Sequence, residues 1–403
     1  MTQSMTVSVC VVGAGPVGGA LACRLASAGV SVAVIDQAAL PPMEHPDFDG
    51  RAYAIAAGSQ RLLEAAGLWD RLPYPAGPIR DIRVTDGKVG RPASPLHLHF
   101  GAWEAGAEAF GWMVEARSLR MALNARLNAM PNVALFAPAK IDAVRTDEGA
   151  VVRVAGGPEI ACQLVIAAEG RRSPLREAAG IPVTRLDYKQ TGMVFAIAHA
   201  KPHNGTALEH FLPAGPFAQL PMAPSDAAEN LSAIVWTERR AAAAQLLAMP
   251  GAAFTREAAR RLGGHLGEIR LLGKRWSYPL TAMHAHRYMD TRLVLAGDAA
   301  HGVHPIAGQG LNLGFADAAA LADLLIAAHD RSEDLGTQAL LRRYQSARRP
   351  ANLAMLAATD VLDRLFSTDN PALRLARDVG IAAVHRLPPL KRAFMRAAMG
   401  GAS

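Results

Sequence analysis

Residues 297–312, GDAAHGVHPIAGQGLN, space Asp298, His301 and His304 three apart and follow them with a Gly-Gln-Gly step. Side chains of these types can ligate a divalent ion when they share one face of a helix. Gly302 and Pro305 interrupt any helix between them, and no cysteine or carboxylate cluster lies nearby, so no metal site is expected. A backbone device is the other reading. Gly297-Asp298 closes the apolar run RLVLAGD and precedes a glycine-rich helix start. Asp298 can accept hydrogen bonds from a polyol chain. The N–H groups around Gly308, Gln309, Gly310, Leu311 and Asn312 can face an oxygen or ring that becomes anionic.

A second such turn stands near the other end of the chain. Gly13-Ala14-Gly15-Pro16-Val17-Gly18 matches G-x-G-x-x-G directly after one apolar run and at the opening of a helical one. The first glycine permits a tight turn, the second lets backbone approach a pyrophosphate, and the third lets helix and strand pack closely. Asp36 ends the next apolar run roughly twenty residues on, where a carboxylate can accept ribose hydroxyls. This loop alone does not separate NAD from FAD. The second cradle at Gly297-Asp298 does, because a long flavin dinucleotide has a use for both.

The elements that must position these residues follow from periodicity. Residues 6–14 and 31–36 predict buried strands flanking a small-residue helix over 15–28, a compact βαβ unit. Amphipathic helices are expected over 58–70 and 118–129, alternating segments over 141–154, and a buried strand in LVIAAEG at 164–170. From 188 to 279 the texture is that of an antiparallel sheet, interrupted by an alanine-rich helical block at 239–266. RLVLAGD returns to parallel-strand texture, and further helices are expected over 338–366 and 371–400.

Composition bounds the alternatives. At 403 residues, two closely joined domains are the default. With 51% hydrophobic and 19% charged residues the chain reads as compact and globular. The formal charge of +7 is scattered, with no long Lys/Arg run and no nucleic-acid module, so nucleic acid is not an expected partner. Cys10, Cys23 and Cys162 form no C-x-x-C pair and point to a reducing cytosol. The opening residues lack a secretory n-region, and no uninterrupted apolar run has the length of a membrane span.

Taken together, these stretches resemble the class A flavoprotein aromatic hydroxylases, and within them the ubiquinone-biosynthesis hydroxylases. RAYAIAAGSQRLLEAAGLWD (51–70) is similar to the family's stretch after the second strand, and MVEARSLRMAL (113–123) to its "E-x-R-x-L" helix start. EHFLPAGPFAQLPM (209–222), WSYPL (276–280), GDAAHGVHPIAGQGLNLG (297–314), RRPANLAMLAATDVLDRLFS (348–367) and PLKRAFMRAAMG (389–400) resemble the ubiquinone branch. Two positions depart from the pattern. Glu169-Gly170 stands where the family has Asp-Gly, and Asp36 where the ribose acid is often Glu. Neither change removes a functional group.

The resemblance implies an α/β fold: a Rossmann-like FAD-binding domain of glutathione-reductase type with an inserted β-sheet substrate domain and a helical C-terminus. The FAD-binding domain is expected over 1–75, 100–180 and 281–345, the substrate domain over 76–99 and 181–280, and the helical region over 346–403. It implies FAD as bound cofactor, NADH or NADPH as transient co-substrate, and O2. Ring hydroxylation of a polyprenyl phenol would proceed by way of a flavin C4a-hydroperoxide. It places Arg51, Arg117, Glu169 and Gly170 near the cofactor, and His304-Pro305 beside the flavin ring. Each charged residue has a plainer alternative: Arg51 solvated, Arg117 in a local ion pair, Glu169 an ordinary strand-end carboxylate. Two other functions stay open, hydroxylation of a small soluble aromatic acid and a non-catalytic FAD-binding subunit of a quinone-synthesis complex.

The segment 371–403 interleaves six basic side chains with apolar ones. It reads equally as a solvated basic face on a docked helix or as a surface lying on an anionic bilayer. The expected location is cytoplasmic, with peripheral contact at the inner face of the cytoplasmic membrane. A quinone-biosynthesis complex is the expected protein partner.

Overall fold

The computed structural model describes residues 4–40, 49–87, 89–90, 97–303, 308–366 and 388–400. Its first layer is a six-stranded sheet ordered Met289–Asp290, Leu293–Leu295, Leu164–Ala167, Val9–Val12, Val32–Ile35, Val133–Phe136. All its pairs are parallel except the first. Val9–Val12, Val32–Ile35 and Leu164–Ala167 are buried along their whole length, as a parallel sheet covered on both faces requires. Helices Pro16–Ser27 and Gln309–Asp330 pack on one another beside this sheet, with Ala20, Leu21, Phe315, Ala318 and Leu321 in one core.

The second layer is an eight-stranded sheet ordered His301–Gly302, Ile269–Ala285, Val183–His199, Leu231–Arg239, Gly215–Met222, Thr206–Leu212, Asp81–Asp86, His97–Gly101. It is antiparallel except where Asp81–Asp86 lies parallel to Thr206–Leu212. Two smaller sheets complete the fold. One joins Ala52–Ala56, Gly111–Glu115 and Gly77–Ile79; the other joins Ser4–Thr6, Glu159–Cys162, Ala150–Val154 and Ile141–Arg145. The α/β class, the inserted sheet and a helical C-terminal region are all present.

Several expected boundaries move. The single strand over 6–14 is two, because Ser4–Thr6 pairs with Glu159–Cys162 while Val9–Val12 enters the central sheet. The helical block 239–266 is two helices, Arg240–Ala248 and Gly251–Leu262, with Pro250 between them; Pro cannot donate to a continuing helix. The domain limits at 280/281 and 345/346 fall inside strand Ile269–Ala285 and helix Gln338–Phe366. Helix Gln309–Asp330 has the length and hydropathy of a membrane span although its apolar residues do not form an uninterrupted run. Phe315, Ala318, Leu321, Leu325 and Ala328 form a buried face against the core, as in the core helix of a globular fold.

Within the expected 371–400 helix, residues 388–400 are described, and Pro388–Ala398 is helical. Met395 docks it against Phe100, Phe110 and Phe211, and Lys391 pairs with Glu104 at 2.7 Å. Arg392 and Arg396 stay exposed. The three cysteines are free and buried, and burial pushes the Cys23 and Cys162 thiols up to about 12.

Candidate cofactor and substrate site

A cleft of about 1070 Å3 runs between the layers, at the upper end of the size of small-molecule sites. Its first end is the 13–18 loop. Gly13 has φ +107°, and a Cβ there would lie 2.4 Å from the Ala168 carbonyl oxygen. A Cβ on Gly18 would meet the Gly13 carbonyl oxygen at 2.0 Å. Gly15 is the opposite case: a Cβ there would have no protein atom within 4 Å and would stand in the cleft mouth. The three glycines therefore divide as turn, open approach and helix–strand contact. Helix Pro16–Ser27 begins with no side-chain cap and no acidic residue in its first turn, so its free N–H groups and positive dipole end face the cleft.

Asp36 closes this end. Its Oδ2 accepts from Ala14 N at 2.8 Å and its Oδ1 from Ala38 N at 2.9 Å, which holds the carboxylate at the lip of the loop. Arg120, absent from the expected set, donates to the Ala14 carbonyl at 3.0 Å and braces the same loop from helix Ala116–Ala129.

The second end is the Gly297-Asp298 turn. Gly297 has φ +59°, and a Cβ on it would touch Val17 Cγ1 at 3.2 Å, so the two glycine turns pack on each other through Val17. Asp298 lines the cleft, half exposed, and accepts from Arg171 Nε at 3.0 Å. Arg171 also donates to Thr281 Oγ1 at 2.9 Å, tying the turn to the large sheet. Arg176 is buried and donates to the Ala299 carbonyl at 2.9 Å. Both arginines belong to the stretch after Glu169-Gly170, where the spacing R-R-x-x-x-R was the available signal.

Gly308, Gly310 and Leu311 line the cleft at the start of helix Gln309–Asp330, whose first turn again has no side-chain cap and no acid. Two helix N-termini from opposite ends of the chain thus open on one cleft. Glu169 and Gly170 line it between them. Burial raises the Glu169 carboxyl, whose Oε2 accepts a short hydrogen bond from Ser173, the cap of helix Pro174–Ala178.

Other expected contacts lie elsewhere. The expectation at Asn312 concerned its main-chain N–H; its side chain points away from the cleft, with Oδ1 accepting from Ala56 N at 2.9 Å and Ser59 Oγ at 2.8 Å, and Nδ2 donating to Ala54 O at 2.9 Å and Gly308 O at 3.1 Å. It clasps the helix start to strand Ala52–Ala56. Gln309 faces a smaller pocket behind that strand. Arg51 is not among the residues lining the cleft; it pairs with Asp49 at 2.6 Å and lies 4.3 Å over the Trp276 ring. Arg117 pairs with Glu115 at 2.6 Å and covers the Tyr74 ring at 3.9 Å. His304 and Pro305 lie outside the described residues. His301 is buried against Asp317, and no cluster of metal-ligating side chains occurs among the described residues.

Tyr53, Val194, Val235 and Leu280 wall the cleft from the opposite side. A cradle with a diphosphate end, a polyol carboxylate and a second positive helix end fits a flavin dinucleotide along its whole length. Fold and cleft together define a two-layer protein with the cradle of a flavoprotein, in which residues of the inserted sheet form one wall of the cleft.

Comparison with known proteins narrows the class. Residues 6–359 match the family described as FAD binding domain. The chain is 50% identical over 393 residues to ubiquinone hydroxylase UbiL of Rhodospirillum rubrum, covering 97% of this chain and 89% of that one. It is 35% identical to 3-demethoxyubiquinol 3-hydroxylase of Escherichia coli, covering 99% of this chain and 100% of that one. Among solved structures, p-nitrophenol 4-monooxygenase PnpA of Pseudomonas putida superposes with TM-score 0.76 at 20% identity, covering 100% of both chains. PqsL of Pseudomonas aeruginosa superposes with TM-score 0.74 at 24% identity, covering 94% of this chain and 100% of that one. The chain belongs to the FAD-dependent aromatic hydroxylase family, in its ubiquinone-hydroxylase branch, and FAD is its cofactor.

Proposed function

We propose that this chain hydroxylates the aromatic ring of a polyprenyl-phenol intermediate of ubiquinone biosynthesis, with FAD bound and with NADH or NADPH and O2 as co-substrates. The observation that carries this reading is the meeting of two helix N-termini and an antiparallel sheet face on one cleft, in a chain 50% identical to a ubiquinone hydroxylase. Bound FAD supplies the oxygen-activating chemistry.

The chain's own groups bind, orient and shield. The 13–18 loop and the first turn of Pro16–Ser27 hold the diphosphate, and Asp36 the ribose hydroxyls. Asp298 accepts from the polyol hydroxyls. The unpaired N–H groups at the N-terminus of Gln309–Asp330 would hold the ring end of the flavin and favour negative charge there. Val194, Val235 and Leu280 make the facing wall apolar, which excludes water from the reacting ring.

A polyprenyl tail partitions into a bilayer, so the reading sets the chain at the cytoplasmic face of the membrane, alone or within a quinone-biosynthesis complex. The exposed Arg392 and Arg396 on the docked helix Pro388–Ala398 support contact with an anionic surface. Profiling quinone intermediates in a deletion strain tests the function. A species lacking one ring hydroxyl should accumulate and disappear on complementation; an unchanged quinone pool overturns the reading.

A further inference from the structure

Strand Thr206–Leu212 alternates its side chains, so Ala207, Glu209 and Phe211 share one face. Ala207 and Phe211 are buried in apolar clusters on either side of Glu209, and Ile82 packs against both clusters. A carboxyl between them needs an explanation. Glu209 borders a pocket of about 80 Å3 whose other walls include Ile82, Phe110, Leu220 and Gln309. No hydrogen bond or ion pair of the Glu209 side chain occurs among the described residues. Ala54 lines both this pocket and the cofactor cleft, and a Cβ on Gly308 would reach the Ala54 side chain at 3.1 Å. The pocket therefore adjoins the end of helix Gln309–Asp330 assigned to the flavin ring.

We propose that Glu209 receives the proton of the substrate's phenol hydroxyl, the hydroxyl-bearing edge of the ring entering this pocket while the rest of the substrate lies in the adjoining cleft. The inference rests on the polyprenyl-phenol reading above. The phenol O–H bond breaks, the proton bonds to a Glu209 Oε, and the electron pair stays on the phenolate oxygen. That charge enriches the ring carbons ortho and para to it, which is what an electrophilic oxygen attacks. Burial pushes the Glu209 carboxyl up to about 7, closer to a phenol near 10 than an exposed glutamate would be. The groups around it are Val84 from strand Asp81–Asp86, Ala218 and Leu220 from strand Gly215–Met222, Gln309 and Asn312 from the helix, Ile55 from strand Ala52–Ala56, Phe110, and Ala398 from helix Pro388–Ala398; among the described residues none of these titrates. Asp86, opposite Phe211, is the next carboxylate on that face.

The test uses full-length, FAD-loaded wild type and Glu209→Gln, checked for equal flavin content, with short-chain prenylphenols from about pH 5 to pH 9. The wild type should show a rate limb near 7 that the variant lacks, and the variant should lose about a hundredfold in turnover. Ring-fluorinated prenylphenols, whose hydroxyl ionises more readily, should recover most of that loss. A Glu209→Gln enzyme with the wild-type rate and pH profile, or one equally impaired on phenols of every acidity, overturns the proposal. Wild type that hydroxylates no prenylphenol overturns the substrate reading itself and this inference with it.

Discussion

The Asp317 carboxylate and the His301 imidazole meet at 2.5 Å, both withdrawn from solvent. The same carboxylate accepts from Gly297 N at 3.1 Å, Arg348 Nε at 2.8 Å and Asn352 Nδ2 at 3.0 Å. One buried anion thus ties the Gly297-Asp298 turn to two helices, and the ring of Tyr288 stacks on His301 at 6.1 Å. Burial by itself would raise the Asp317 carboxyl; His301, Arg348 and Asn352 outweigh it and hold it below the usual range.

A carboxyl lowered in the fold contributes stability above the unfolded value of about 4, and that contribution is lost as pH falls through the lower folded value. Asp317→Asn keeps the shape but leaves Arg348 facing a neutral group. It should cost about 3–5 kcal/mol at neutral pH by denaturant unfolding. The gap to wild type should shrink in acid below about pH 4. A gap that does not change with pH would show that charge is not its cause.

The first glycine loop separates fold from ligand. Gly18→Ala drives a methyl onto the Gly13 carbonyl and should lose about 1–3 kcal/mol of stability. Gly15 has φ −65°, which alanine adopts freely, and its Cβ would meet no protein atom. Gly15→Ala should unfold within about 0.5 kcal/mol of wild type yet purify with less flavin per chain. Equal flavin content in that variant would remove the diphosphate from this loop.

Asp298 offers a similar separation at the other cradle. Its pair with Arg171 is half exposed, so Asp298→Ala should change stability by no more than about 1 kcal/mol. Losing the acceptor for the polyol hydroxyls should weaken FAD binding by roughly tenfold to a hundredfold, read by flavin fluorescence titration. Unaltered affinity would move the ribityl chain away from Asp298.

Glu209 gives a stability test that needs no substrate. Its carboxyl is raised, so between about 4.5 and about 7 the folded chain holds a proton the unfolded chain releases, and stability falls as pH rises through that window. Glu209→Gln lacks this dependence. The variant should be more stable than wild type at about pH 8, by something on the order of 2 kcal/mol, and nearly equal to it at about pH 5. Parallel stability curves would place Glu209 in contact with water.

Both cradles could be read in the residues because they are local. The glycine spacing, a carboxylate at a strand end and an uncapped helix start are encoded within a few positions, as is the contact of Gly18 with the Gly13 carbonyl; the crowding that demands glycine at Gly13 and Gly297 comes from Ala168 and Val17, far along the chain. The side chains of Arg51, Arg117 and Asn312 were harder to place, because a long or amide side chain goes where its best partner is, while the main-chain N–H groups at Asn312 stay with the helix start. Trp276 lies far from Arg51 in sequence and 4.3 Å from it in the fold, while the Asn312 amide is taken up by strand Ala52–Ala56.

The Asp317 network and the Glu209 pocket belong wholly to the tertiary structure. Period-two alternation puts Glu209 on a face with Ala207 and Phe211, yet nothing local says that Ile82, Phe110, Leu220 and Gln309 will close over it. Helical spacing likewise leaves Asp317 an unremarkable acid in an apolar helix until His301 and Arg348 arrive from other segments. Backbone conformation is a short-range property, so the chain's own letters determined the two turns and the class of ligand they cradle. Dielectric surroundings and charge partners depend on what packs against a side chain across the layers, and the meeting of the layers decided those.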